Sequence, residues 1–275
     1  VAFDSPEKTF RHKIYSDYKA NRDAPPEELS KQFPYFEPLV EAYGLSSIRR
    51  PGFEADDIIG TLAKKGTQEG LDVVIVSGDK DMMQLISSNV HMFDTMKNKK
   101  FMNKEVLEKF GVPPEKVIEV MGLMGDSSDH IPGVTGVGPK TAAELIQKFG
   151  SIESLYNRID EVEKNKVKEK LERDKKNAFM SRQLVSIDTE MDLKFNSALM
   201  KPGKIDNDKL KKMFQEFEFV SFLKGVQGGA VKSIKVDHSD YKTIVTEKSF
   251  NDLLKLLAKE KYFAFDVEPT SKRPV

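Results

Sequence analysis

The stretch Leu71-Asp-Val-Val-Ile-Val-Ser-Gly-Asp-Lys-Asp81 decides the fold. Its first half is a nearly uninterrupted β-branched run, the pattern of a parallel strand covered on both faces, and it implies helices on either side. Its second half turns at Ser77-Gly78 and delivers two carboxylates, Asp79 and Asp81, just beyond the strand. In open parallel sheets the loops of neighbouring strands converge outside the strands' carboxyl ends, and ligands gather there.

Working outward, the same pattern recurs. Val1-Ala-Phe-Asp4 is a short apolar strand closed by an acid, and Glu54-Ala-Asp56-Asp57 opens a helix with Ile58, Ile59, Leu62 and Ala63 on its core face. The start of that helix favours ionised carboxylates. Helical patterns over residues 26–43 and 55–69 alternate with strands at 1–3 and 73–76, so residues 1–120 read as an α/β domain around a mostly parallel central sheet. Downstream, Asp126 and Asp129 open a turn beside Gly125.

Taken singly, an Asp at a helix start is more often a cap than a ligand. The set of eight, Asp4, Glu54, Asp56, Asp57, Asp79, Asp81, Asp126 and Asp129, reads differently because independent elements bring them to one rim. Crowded carboxylates without cations raise one another's pKa values. Oxygen donors without His or Cys suit hard cations, so two or more Mg²⁺ or Mn²⁺ ions are expected.

The acids at 126 and 129 run directly into Gly133-Val-Thr-Gly-Val-Gly-Pro-Lys-Thr141. Its glycines let backbone N–H groups approach a phosphate, and the helix that follows adds its positive end. Gly133, Gly136, Gly138, Lys140 and Thr141 are the expected contacts to a nucleic-acid backbone. That helix is amphipathic over residues 140–149, with Gly150 as its cap, and residues 161–176 form a solvated Lys/Glu face without chemistry. Between residues 11 and 26 the chain interleaves Arg11, His12, Lys13, Lys19 and Arg22 with Tyr15 and Tyr18.

The 275 residues carry 44 Lys+Arg against 44 Asp+Glu, so no basic coat exists and nucleic acid must be met by local patches. Cysteine is absent, excluding disulfides and thiolate zinc sites, and no apolar run approaches the roughly 20 residues of a membrane span. A soluble cytoplasmic protein, most simply a monomer, is expected. Four segments follow: a nuclease-like core at 1–120, a helical region at 121–225, a Gly-rich linker at 226–238, and a new strand-helix-strand unit at 239–275. Both ends read as cut from a longer polypeptide.

Residues 1–225 resemble the 5′ nuclease domain of bacterial DNA polymerase I, within the flap endonuclease family. The resemblance rests on Phe3-Asp4, Phe10-Arg11-His12 with Tyr18-Lys19, Gly52-Phe-Glu54-Ala-Asp56-Asp57, Gly78-Asp79-Lys-Asp81, Gly125-Asp126-Ser-Ser-Asp129 and the helix-hairpin-helix. It implies a PIN-like sheet with flanking helices, a hairpin region that binds duplex DNA and K⁺, and Mg²⁺-dependent cleavage at 5′ ends, nicks and flaps in bacterial replication and repair. It places the eight acids around the metals, Arg11 and Lys19 at the scissile phosphate, and Tyr18 and Arg22 on DNA, with Tyr18 stacking on a base or simply packing. The family's first strand, with a further metal-binding Asp, would precede Val1. His130 stands where the family has Asn. Phe263-Ala-Phe-Asp266-Val-Glu268 is similar to the opening of an RNase H-like 3′–5′ proofreading domain, with Asp266 and Glu268 as metal ligands of an incomplete site and Pro269 in place of the usual Thr. A non-catalytic DNA-binding fragment and a metal-dependent ribonuclease are the competing readings.

Overall fold

A computed structural model describes residues 1–197, 200–226 and 242–263. The chain forms two compact units, Val1–Val226 and Gln227–Val275.

In the first unit, β1 (Ala2–Phe3) leads to three short helices, α1 (Phe10–Ile14), α2 (Glu27–Ser30) and α3 (Phe33–Ala42), then β2 (Ile48–Arg49) and α4 (Ala55–Gln68). β3 (Val73–Val76), a 3₁₀ turn at Lys80–Leu85, β4 (Val90–Asp94), β5 (Lys99–Phe101) and α5 (Asn103–Phe110) follow. The remainder is helical: α6 (Val117–Met124), α7 (Pro139–Phe149), α8 (Ile152–Asn157), α9 (Asn165–Arg173), α10 (Lys175–Val185), α11 (Asn207–Glu216) and α12 (Val220–Val226).

The expected single sheet is two small ones. β1 pairs with β2 in parallel, while β3 and β4 pair in parallel from Val73↔Val90 to Val76↔Phe93 and β5 closes an antiparallel hairpin on β4. No ladder joins β1 to β3 among the described residues. Between them lies an apolar groove of about 700 Å³, lined by Val1 and Ala2 on one side and Val74 and Val76 on the other. The expectation that β3 is covered on both faces therefore fails on one: Ile75 is buried, but Val74 and Val76 are 50% and 63% exposed. A β-branched run reports strand propensity whether or not a second layer is present.

The helical region supplies most of the core. α6 is apolar almost all round, as a central helix should be, and buries Val117, Val120, Met121 and Leu123 against α7, α8 and α10. Its approach to α10 requires Gly122, where a Cβ would lie 2.7 Å from the Cβ of Arg182. α7 buries Ala142, Ala143, Leu145, Ile146 and Phe149 and ends at Gly150 in a positive-φ conformation. In the Lys/Glu-rich segment, α9 buries Leu171 alone and leaves its charges in water. A satellite cluster of Ala42, Leu210 and Phe214 ties α3 to α11.

In the second unit the described residues hold one helix, α13 (Glu247–Leu257), started by Thr246 accepting from the Ser249 N–H at 3.2 Å. The expected strand before it is absent over residues 242–245. Asp266, Glu268 and most of the 226–238 linker lie outside the described residues.

The buried and solvated sides of α9 separate cleanly in a stability measurement. Leu171→Ala should cost about 2–5 kcal/mol, whereas Lys166→Ala should stay within about 0.5 kcal/mol. Urea midpoints measure both, and equal shifts would mean that Leu171 does not anchor the helix.

Candidate active site

Seven of the eight expected carboxylates line one cavity of about 480 Å³: Asp4, Glu54, Asp56, Asp79, Asp81, Asp126 and Asp129. Local backbone chemistry places each. Asp4, just past β1, accepts from the Ala55 N–H at 2.8 Å and so fastens the start of α4 to the end of the strand. Glu54 is the N-cap of that helix and Asp56 lies in its first turn. Asp79 follows β3 and accepts from the Asp81 N–H at 2.9 Å, which turns the chain into the 3₁₀ segment.

Asp126 and Asp129 sit on a loop pinched shut by reciprocal backbone bonds between Asp126 and Ile131, at 2.9 and 2.7 Å. Two glycines make the pinch possible. Gly125 and Gly133 both hold positive φ, and a Cβ on either would come within 2.5 Å of backbone atoms across the loop. Gly133 thus serves loop closure, and its N–H goes to Ser181 Oγ at 2.9 Å rather than to a ligand. In the hairpin that follows, the N–H groups of Val134, Thr135 and Val137 are also used internally. Gly136, Gly138, Lys140 and Thr141 retain N–H groups without a partner in the described residues, the first two just before α7 and the last two in its first turn. The Gly136 carbonyl accepts from Lys170 Nζ at 3.1 Å.

Three expected residues stand elsewhere. Asp57 is fully buried beneath the cavity, where its two oxygens meet the Arg11 guanidinium at 2.8 Å each and also accept from the N–H groups of Glu54 and Asp188. Arg11, 2% exposed, gives two further donors to the carbonyls of Leu184 and Ser186, both at 2.8 Å. Burial opposes the charge on Arg11, but Asp57 and then Glu54 outweigh it and raise its pKa. With four of its five N–H donors committed and Glu54 3.8 Å from the nitrogen that carries the fifth, Arg11 is an anchor between α1, α4 and the end of α10 rather than a clamp on a phosphate. Tyr18 is 4% exposed, with its hydroxyl between Glu54 at 3.1 Å and Asp129 at 3.3 Å, so it packs and orients acids instead of presenting a ring to a base.

Lys19 and Arg22 do line the cavity. Lys19, in a left-handed conformation, reaches Glu54 at 2.9 Å, and Arg22 pairs with Asp129. Two further lysines appear that the sequence reading passed over. Lys80 bonds to Asp126 at 2.5 Å, and Lys109 arrives from the last turn of α5. Lys80 was visible inside Asp79-Lys-Asp81, but nothing in the sequence relates Lys109 to a loop so far upstream.

The charge is not balanced. Burial, then Asp79 and Glu54, push Asp56 up to about 7. Burial and Asp79 push Asp81 up to about 7 as well, and its Oδ1 is buried without a hydrogen-bond partner among the described residues. Asp126 goes the other way: burial opposes ionisation, but Lys80 and Ser128 prevail and lower it. Among the described residues no three His, Asp or Glu side chains converge into a finished ligand cage. An all-oxygen donor set with an orphaned carboxylate oxygen fits a hard cation that keeps several of its waters and takes few direct carboxylates.

Two outcomes follow from this geometry. Removing one partner of a buried, hydrogen-bonded ion pair strands the other, so Arg11→Ala should lower unfolding free energy by about 3–5 kcal/mol, against at most about 1 kcal/mol for the exposed Arg22→Ala. Denaturant titration of both variants decides, and similar losses would deny Arg11 its anchoring role. Asp56 and Asp81 bind protons more tightly in the folded chain than in the unfolded one, so stability of the metal-free protein falls as pH rises from the ordinary carboxylate value of 3.8 to about 7. Asp81→Asn should therefore stabilise the metal-free chain by about 1–2 kcal/mol at about pH 8 and leave it unchanged near pH 4. A thermal midpoint that does not rise at the higher pH would show that Asp81 is not under charge stress.

Sequence and fold are similar to those of known proteins. Residues 1–111 match the family model described as 5′-3′ exonuclease, N-terminal resolvase-like domain, and residues 112–208 match 5′-3′ exonuclease, C-terminal SAM fold. The chain is 43% identical over 228 residues to DNA polymerase I of Rhizobium leguminosarum, covering 82% of this chain and 22% of that protein. To a 5′-3′ exonuclease of Aquifex aeolicus it is 38% identical over 226 residues, covering 82% of this chain and 77% of that one. The fold is similar to that of the phage T5 flap endonuclease in a pseudo-enzyme-product complex with DNA and metal ions, at a TM-score of 0.60 and 22% identity, covering 83% and 84% of the two chains. The chain spans about a quarter of the length of the curated polymerases that it matches. With both of the family's regions matched in succession over residues 1–208, the chain belongs to the 5′-3′ exonuclease family.

Proposed function

We propose that this chain hydrolyses DNA phosphodiester bonds at 5′ ends and at 5′ flaps, with two or more Mg²⁺ or Mn²⁺ ions held by Asp4, Glu54, Asp56, Asp79, Asp81, Asp126 and Asp129. The observation that carries this reading is the acidic cavity itself, where Asp81 keeps a buried oxygen without a partner. Bound there, divalent ions supply Lewis acidity at the phosphate and lower the pKa of water.

The chain's own residues do the rest. Lys19 and Arg22 are the cations that meet the scissile phosphate, each currently neutralised by a carboxylate that a metal would share. Tyr18 holds Glu54 and Asp129 in place through its hydroxyl. The free N–H groups of Gly136, Gly138, Lys140 and Thr141 grip the duplex backbone, with K⁺ as an accompanying ion, and they read phosphate without reading bases. The DNA carries a 5′ flap, a nick or a 5′ end. On this reading the chain is part of a DNA polymerase I that acts in DNA replication and repair, and the tail that includes Asp266 and Glu268 is the start of a 3′–5′ exonuclease domain.

A 5′-labelled flap DNA incubated with the chain should be cut near the flap junction only with Mg²⁺, and Asp79→Ala should abolish cutting without abolishing DNA binding. Binding without metal-dependent cutting would select the non-catalytic reading, and cleavage confined to RNA would select the ribonuclease.

A further inference from the structure

Four cations line the acidic cavity: Lys19, Arg22, Lys80 and Lys109. Three of them are paired. Lys19 is 2.9 Å from Glu54, Lys80 is 2.5 Å from Asp126, and Arg22 meets Asp129. Lys109 alone among these four has no carboxylate within 4 Å and no hydrogen-bond partner in the described residues. It stands on the last turn of α5, where its ammonium lies 5.9 Å from the centre of the Phe110 ring and Phe110 itself is buried. Its setting disfavours its charge: burial lowers its pKa first, and Lys80 and Lys97 lower it further, while Asp81 and Asp79 pull weakly the other way. A lysine whose task was to neutralise the acids would close on one of them, as the other three do.

We infer that Lys109 is a substrate-binding residue that takes a backbone phosphate of the nucleic acid, separate from the phosphate met by Lys19 and Arg22. A phosphate beside Lys109 supplies at contact distance the counter-charge that no carboxylate brings within 4 Å in the described residues, and it offsets the repulsion from Lys80 and Lys97. Lys19 and Arg22 belong to the segment after α1 and are tied to Glu54 and Asp129, whereas Lys109 comes from α5 and the charges that act on it are Lys80, Lys97, Asp81 and Asp79. A polyanion crossing the cavity thus meets cations from two independent elements. The inference rests on the nuclease reading for its substrate, and adds a contact to it.

The test is the salt dependence of binding. Fluorescence anisotropy with a labelled 5′-flap DNA, Ca²⁺ replacing Mg²⁺ and the DNA checked on a gel for integrity, gives the slope of log affinity against log salt. One phosphate contact contributes about 0.9 to that slope. Lys109→Met keeps the hydrocarbon stem over Phe110 and should flatten the slope by about 0.9, weaken binding about fivefold at moderate salt and leave the thermal midpoint unchanged. Lys109→Arg should restore both slope and affinity. A Lys109→Met variant with the parent's slope and affinity overturns the inference even if the parent cuts DNA, whereas a parent that binds but never cuts overturns the nuclease reading and leaves the slope comparison to judge Lys109. A parent that does not bind flap DNA overturns both.

Discussion

Mutual repulsion among seven carboxylates around one cavity is the constraint on which the other features of this molecule depend. Such a cluster lowers the stability of the fold that holds it, so each acid needs a local reason to stay. Asp4 stays because it caps α4, Glu54 because it is the N-cap of that helix, and Asp79 because it turns the chain after β3. Asp126 is fixed by Lys80 and Ser128. Asp56 and Asp81 lack an equivalent, and the unrelieved charge collects on them. Strain concentrated at a functional site and compensated elsewhere is an ordinary trade between stability and activity.

The compensation lies directly beneath. Asp57 points away from the cavity and meets Arg11 in a buried, bidentate pair, with backbone N–H groups of Glu54 and Asp188 on its oxygens and backbone carbonyls of Leu184 and Ser186 on the guanidinium. Charge burial on this scale is tolerable only when every donor and acceptor is satisfied. The pair joins α1 and α4, in the N-terminal family region, to residues 184–188 in the C-terminal one. That joint matters because Asp126 and Asp129 come from the C-terminal region and the other five acids from the N-terminal one. The cavity exists only while the two regions are held in register.

The rim was legible in sequence because strand ends and helix starts are local patterns, and the acids sit at fixed offsets from them. Asp4, Asp56, Asp79 and Asp126 could be placed on one edge without knowing any long-range contact. The roles of Arg11, Asp57 and Tyr18 could not be read in the same way. Asp57 is one residue from Asp56 on a helix, and the 100° between neighbours sends one into the cavity and the other into the core. The family resemblance puts Arg11 at the scissile phosphate, while its partners, Leu184, Ser186 and Asp57, are all distant in the chain. Gly133 looked like part of a phosphate grip because the glycines of a hairpin and of a loop closure are indistinguishable until the opposite strand, here Gly125, is known. The α/β class was likewise plain from the alternation of elements, but the separation of β1 from β3 was not, since strand propensity says nothing of which strands pair.

The lysines give the site a second state of charge. In the structure as it stands, single positive charges from Lys19 and Lys80 sit on Glu54 and Asp126, where the proposed divalent ions would bring twice the charge with no tether. A tethered ammonium holds the carboxylates compatible with folding at neutral pH, yet its ion pair at a partly open rim contributes little net free energy and yields readily to a stronger competitor. An ammonium displaced from its carboxylate remains within the length of its own side chain, next to the cavity proposed to take the phosphodiester. On the proposed reading, the cations paired with the rim carboxylates would then be placed to meet the substrate, and the same few side chains would reconcile a foldable protein with a site built from like charges.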